Sequence, residues 1–116
     1  MTVDKELLKG CSKTLVLKLL SQKGMHGYEI AQELKAVTDG RIEITEGTMY
    51  PLLHSLEAGK AISSEWEVGG KRKRKVYRLT PVGRKLLKEK TQNWREFILA
   101  VDGVMAVKRL CEGVAL

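Results

Sequence analysis

Apolar residues recur at helical spacing from Leu7 to about Gln22, through Leu7, Leu8, Cys11, Leu15, Leu19 and Leu20, which predicts a first helix ended by Lys23-Gly24. A second helix is expected from about Tyr28 to Val37, with Ile30, Ala31 and Leu34 facing inward and Thr38-Asp39-Gly40 as its stop. The stretch Arg41 to Ile44 alternates like a short strand. Thr45 then stands where its hydroxyl would cap a third helix, which should end at Gly59 as a left-handed terminator. Beyond Gly59 the period changes to two. Ile62, Ser64, Trp66 and Val68 take one face and Ser63, Glu65 and Glu67 the other, the pattern of a half-buried strand in which Trp66, on the face of Ile62, serves core or hairpin packing. Gly69-Gly70 suits a hairpin turn, and Val76 to Leu79 forms the returning strand. Thr80-Pro81 opens a last helix, whose stripe is Val82, Leu86, Leu87, Trp94, Phe97, Ile98, Val101 and Met105. Three helices, a hairpin and a long helix predict a mainly α (α+β) fold, a winged helix-turn-helix with a two-stranded wing.

At 116 residues the chain has room for one domain and a single modest core. Its net charge of +7, in a chain apolar enough to fold, suggests a polyanionic partner, either nucleic acid or an anionic membrane surface. No apolar run approaches the length of a bilayer span, and Met1 leads into polar residues rather than a signal core. A soluble, cytoplasmic protein is expected. Cys11 and Cys111 lie near opposite ends with no zinc-site spacing, so both are taken as structural thiols, with no metal and no cofactor. Neither His26 nor His54 is expected to have a carboxylate or cysteine beside it that would recommend catalysis. With no phosphate loop or activated nucleophile either, an enzyme is not expected.

The third helix places Met49, Leu52, Leu53 and Leu56 on one face and leaves Gly47, Pro51, His54 and Ala58 opposite, flanked by Thr48, Tyr50 and Ser55. That small, polar surface suits a helix entering the major groove, where glycine permits close approach and hydroxyls bond phosphates or base edges. An ordinary amphipathic surface helix fits the same pattern. Pro51 lies beyond the first turn, where it removes a helical hydrogen bond and favours a bend. The run Lys71, Arg72, Lys73, Arg74 and Lys75 sits at the mouth of the hairpin, where adjacent cations gain most from a line of phosphates. Membrane attraction would instead prefer such cations on an amphipathic helix with bulky apolar neighbours.

Taken together, His26-Gly27-Tyr28-Glu29-Ile30, Thr48-Met49-Tyr50-Pro51-Leu52-Leu53, Leu56-Glu57, Gly59, Tyr77-Arg78-Leu79-Thr80 and Gly83 resemble, in order and spacing, the signature of the PadR family of bacterial regulators. The similarity runs from about Leu7 to Val104. Met49 stands where a branched aliphatic is usual, and Val76 where an aromatic is common. The resemblance implies a homodimeric repressor that binds double-stranded DNA, with the third helix in the major groove and the wing near the minor groove. With the third-helix face and the basic hairpin read above, the expected DNA-contacting positions are Tyr28, Thr45, Gly47, Thr48, Tyr50, Pro51, His54, Lys71, Arg72, Lys73, Arg74 and Lys75. Residues 1–79 would form the DNA-binding domain and 80–116 the C-terminal dimerisation helix, in one folding unit.

The stripe from Leu87 to Met105 is too long for a three-helix core to cover, which independently favours pairing with a second subunit and a pseudo-palindromic operator. The chain ends soon after this helix and so resembles the short, multidrug-responsive branch. There a tryptophan at the position of Trp94 lines a cavity at the dimer centre. A planar hydrophobic small molecule would then meet Trp94, with Leu7, Phe97 and Ile98 as walls; simple packing of Trp94 in the dimer core is the alternative. A second functional reading is a non-specific architectural or RNA-binding winged helix without an effector, because the third helix offers no arginine or asparagine to identify a base.

Overall fold

The structure is a computed structural model that describes residues 3–68, 70 and 73–107. Its elements follow in the expected order: α1 (Lys5–Leu20), α2 (Gly27–Val37), α3 (Glu46–Ala58), β1 (Ile62–Trp66), β2 (Lys75–Leu79) and α4 (Pro81–Met105). Asp4 caps α1 by accepting from the Glu6 amide at 2.8 Å. The core is built from the inward faces of the first three helices: Val16, Leu17 and Leu20 of α1, Ile30 and Leu34 of α2, and Met49, Leu53 and Leu56 of α3. Met25, Ile44, Ala61, Ile62 and Tyr77 close it from the connections and the sheet. Leu86 and Leu87 of α4 pack on its edge. Cys11 is half-buried, its thiol pushed up by burial and directed at the carbonyls of Leu7 and Leu8, as a structural thiol should be. Cys111 lies outside the described residues.

Several local expectations give way to longer-range bonds. Arg41 to Ile44 forms no strand; Ile44 is buried and Ile42 half-buried, so the alternation marks an extended segment lying on the core. It is held by Thr38, whose hydroxyl donates to the Leu34 carbonyl at 2.7 Å and accepts from the Ile42 amide at 3.0 Å. The strand that does join the hairpin is a single residue, Met25. Its amide donates to the Tyr77 carbonyl at 3.1 Å, and the Tyr77 amide returns the bond at 2.8 Å. The hairpin itself is antiparallel, in register from Ile62 opposite Leu79 to Trp66 opposite Lys75. The Glu67 amide extends the pairing by donating to the Arg74 carbonyl at 2.8 Å. The turn expected at Gly69-Gly70 lies in part outside the described residues, as do Lys71 and Arg72. Val68 is exposed beyond the strand rather than part of its inner face.

Helix α3 ends at Ala58 with Gly59 as its cap, close to the expected place, but the left-handed residue falls one position later than expected. Gly59 keeps an ordinary φ of −82°, and Lys60 takes the left-handed conformation at φ 63°. The Ala61 amide then reaches the Leu56 carbonyl at 3.0 Å and the Lys60 amide the Glu57 carbonyl at 2.9 Å, the paired bonds of a Schellman ending. Helix α2 ends the same way with Asp39 left-handed at φ 54°. At the start of α3 the Thr45 hydroxyl bonds no backbone amide and is directed instead to the Thr48 hydroxyl at 3.4 Å.

Thr80 does cap α4, accepting from the Gly83 amide at 3.0 Å, and its hydroxyl also donates to the Lys60 carbonyl at 2.6 Å. Its own amide donates to the Ala61 carbonyl at 3.1 Å. The first turn of α4 is thus bonded to the joint between α3 and β1. The approach is close enough that a Cβ on Gly83 would lie 1.9 Å from the Ala61 carbonyl oxygen. A similar local arrangement opens α2, where the Glu29 carboxylate accepts from the His26 amide at 3.1 Å and also meets the His26 ring. The bond from the His26 amide holds the Glu29 carboxyl below the usual glutamate range; partial burial opposes it, and the His26 ring assists.

Two outcomes follow for stability. Gly83→Ala must push backbone from backbone and should cost at least about 2–3 kcal/mol, whereas Lys60→Gly relieves a left-handed lysine and should gain about 0.5–1 kcal/mol; thermal or urea unfolding of the pair measures both, and a neutral Gly83→Ala would contradict the α4 docking. A carboxyl depressed in the folded state adds stability above its unfolded value and loses it as pH falls through the folded one. Glu29→Gln should therefore show a smaller rise in melting temperature from about pH 3 to about pH 6 than the parent chain; equal slopes would remove Glu29 from the acid limb.

Candidate nucleic-acid interface

The exposed side of α3 carries Gly47, Thr48, Tyr50, Pro51, His54 and Ser55, because Met49, Leu53 and Leu56 are spent on the core. Pro51 lies within the helix, on the exposed side. Thr45 and Gly47 stand at its amino end, both exposed. Beside this helix runs α2, whose first residues approach it closely. A Cβ on Gly27 would lie 3.1 Å from the Tyr50 ring, so glycine there lets the two helix starts meet. Tyr28, next along, is exposed.

The wing comes to the same side. A cleft of about 370 Å³ is bordered by Tyr28 and Tyr50 from the two helices and by Lys73, Arg74 and Lys75 from the hairpin. Sequence-predicted positions from three separate segments are therefore brought together around one depression. Thr45, Gly47, Thr48 and His54 are not among its lining residues and extend the surface along α3. Lys71 and Arg72 lie outside the described residues. Cationic groups and phenol hydroxyls along a groove make a surface suited to phosphate esters.

Two further residues border this cleft. Trp66 lies outside the core, 57% exposed at the border of the cleft, so of the two expected kinds of packing it has the hairpin kind. The strand alternation places Trp66 and Ile62 on one face, but the core stops short of the outer end of β1. The ammonium of Lys75 lies 5.3 Å from the Trp66 ring centroid, a cation–π contact across the strand pair. His26 has carboxylates on both sides, contrary to the sequence reading: Glu29 at one ring nitrogen, and Glu67 at the other at 2.8 Å. The Glu29 partner was legible as a capping-box spacing, whereas Glu67 arrives only through folding. Deeper in, burial pushes the Tyr77 phenol up, with Glu57 and Tyr50 adding to the shift.

The positions expected to receive an effector lie elsewhere. Trp94 is 46% exposed, Phe97 58% and Leu7 69%, and Ile98 is half-buried. An open depression on the surface of α4 is lined by Lys88, Glu89, Thr91, Gln92, Asn93 and Arg95, without Trp94. No helix among the described residues is long and apolar enough to cross a membrane.

Residues 16–89 match the transcriptional regulator PadR-like family. The transcriptional regulator Rv3488 of Mycobacterium tuberculosis is 33% identical over 99 residues, covering 85% of this chain and 90% of that protein. Among solved structures, a transcriptional regulator from Clostridium thermocellum superposes with a TM-score of 0.82 at 30% identity, covering 90% of this chain and 100% of that one. A PadR family transcriptional regulator from Eggerthella lenta gives 0.78 at 33% identity, covering 89% and 88%. These relatives are regulators and not enzymes. The chain belongs to the PadR-like family of transcriptional regulators, a membership that implies DNA binding.

Proposed function

We propose that this chain is a homodimeric, sequence-specific repressor whose α3 enters the major groove while the wing lies along the adjoining backbone. The observation that carries the reading is the cleft in which Tyr28 and Tyr50 face Lys73, Arg74 and Lys75. In this reading Thr45, Gly47, Thr48, Pro51 and His54 extend the contact along α3, and Lys71 and Arg72 extend the cationic wing. Residues 1–79 form the DNA-binding part and 80–116 the dimerisation part.

The dimer is supported by what the single chain leaves exposed. Trp94, Phe97, Val104 and Met105 all stand in solvent along one side of α4, an apolar surface that a second copy would cover. Two-fold pairing would set two α3 helices about one DNA turn apart, on a pseudo-palindromic site. In the same reading a planar hydrophobic molecule stacks between Trp94 and its symmetry mate, against Leu7, Phe97 and Ile98, and favours a dimer geometry that releases DNA.

Binding to a duplex selected from random DNA should weaken by roughly 10³-fold or more between about 50 mM and 200 mM salt. Lys73→Ala and Arg74→Ala should each weaken all duplexes alike and lower the salt slope by about one. Equal displacement by selected and random duplex would replace the specific reading with an architectural one. In a Trp66→Phe background, where Trp94 is the remaining tryptophan, a planar cationic dye should quench fluorescence at micromolar concentration and displace DNA. Absence of quenching would remove the effector while leaving the DNA reading intact.

A further inference from the structure

We infer that His26 is a positioning residue that holds the outer end of the β1 segment against α2 and so aims the cations Lys73, Arg74 and Lys75 of the wing, a role that rests on the DNA reading above. Its ring contacts Glu29 on its own helix and, at 2.8 Å, the Glu67 carboxylate 41 positions away in sequence. Glu67 is paired across the wing, its amide bonded to the Arg74 carbonyl at 2.8 Å. The bond therefore acts at the hinge of the segment that carries the cations. His26 is also flanked by the fixed points of the fold: Met25 is bonded in both directions to Tyr77, and Gly27 lies against Tyr50. The wing can thus be tied at its root by backbone and at its far end by one side chain.

The ring has one nitrogen for each carboxylate. Carboxylates only accept, and a neutral imidazole has one N–H to give, so both bonds are satisfied at once only by the imidazolium. The charged and titratable groups around it are Glu29, Tyr28 and the preceding Lys23 by α2, Glu67, Lys73, Arg74 and Lys75 on the wing, Tyr50 on α3 and Tyr77 on β2. A lone Glu67 beside phosphate-facing cations would oppose DNA. Paired with His26 it instead anchors the wing.

That last point supplies a test whose sign separates the two roles. Removing Glu67 as a mere charge should strengthen DNA binding; removing it as an anchor should weaken binding. The positioning role predicts that Glu67→Ala loses about tenfold in affinity for the selected duplex and that Glu67→Gln, which still accepts a bond, restores most of it. His26→Asn, which keeps a capping residue at the start of α2 but is too short to reach Glu67, should lose a similar factor. Without DNA, hydrogen exchange at the Glu67 amide should speed up several-fold in His26→Asn. Unchanged exchange, or tighter binding by Glu67→Ala, overturns the proposal. If the parent chain shows no salt-dependent binding to any duplex, the DNA reading fails, and the exchange rate still decides whether His26 holds the wing.

Discussion

The pair of backbone hydrogen bonds between Met25 and Tyr77 is the constraint on which the geometry of this molecule turns. A two-stranded hairpin standing alone is marginal in water, because it has neither a third strand nor a covered face. Here one residue between α1 and α2 serves as the third strand, and the Tyr77 side chain goes into the core beside it. The wing is thereby an outgrowth of the helical core. The same bonds fix the residues that follow, so that His26, Gly27 and Tyr28 leave the sheet edge in a set direction. Each meets a different element: the wing end, α3 and the open cleft.

A second joint governs α4. Lys60 turns left-handed to end α3, which exposes its own carbonyl and that of Ala61 to Thr80 and brings Gly83 against them. The start of α4 is consequently locked to the end of α3, and its body leaves the core after Leu87. A helix of 25 residues is about 37 Å long at about 1.5 Å per residue, so most of it projects beyond the fold. Any force applied near Trp94 acts on a long lever held at the α3–β1 joint and by the packing of α4 on α1. For a dimer of the proposed kind, a small change in the angle between two such levers would move the two α3 helices as rigid bodies.

Local patterns carried most of the architecture, and the failures share a cause. Helical spacing located all four helices, because burial of one face is a property of each segment taken by itself. The Thr80-Pro81 start was legible for the same reason. What local pattern could not show was partnership across the chain. Arg41 to Ile44 alternates because Ile44 lies on the core and Ile42 is half-buried beside it, and alternation alone does not say whether a hydrogen-bonded neighbour exists. Trp66 shares a face with Ile62, yet the core ends before reaching it, and the end of a core is set by the packing of other elements. Gly59 looked like the left-handed residue on propensity, but the register of the Leu56 and Glu57 carbonyls assigned that place to Lys60. Of the cleft, Tyr28, Tyr50 and the cations were legible as types; their convergence was not.

Helix α3 has on its exposed side hydroxyls, a histidine, a glycine and a proline, and no arginine or asparagine with the bidentate geometry that singles out a base. A regulator built this way has few direct means of reading sequence. Discrimination would then depend on the shape and deformability of the duplex and on the spacing of two half-sites, both of which are sensed through rigid placement. Placement is what the Met25–Tyr77 pair, the His26–Glu67 contact and the Gly83 docking supply, each at a different boundary between elements. Sequence preference in such a molecule would accordingly be a property of its joints as much as of the residues facing the groove. Substitutions at a joint should change which duplexes are preferred, and substitutions of wing cations should change only how tightly all of them are held.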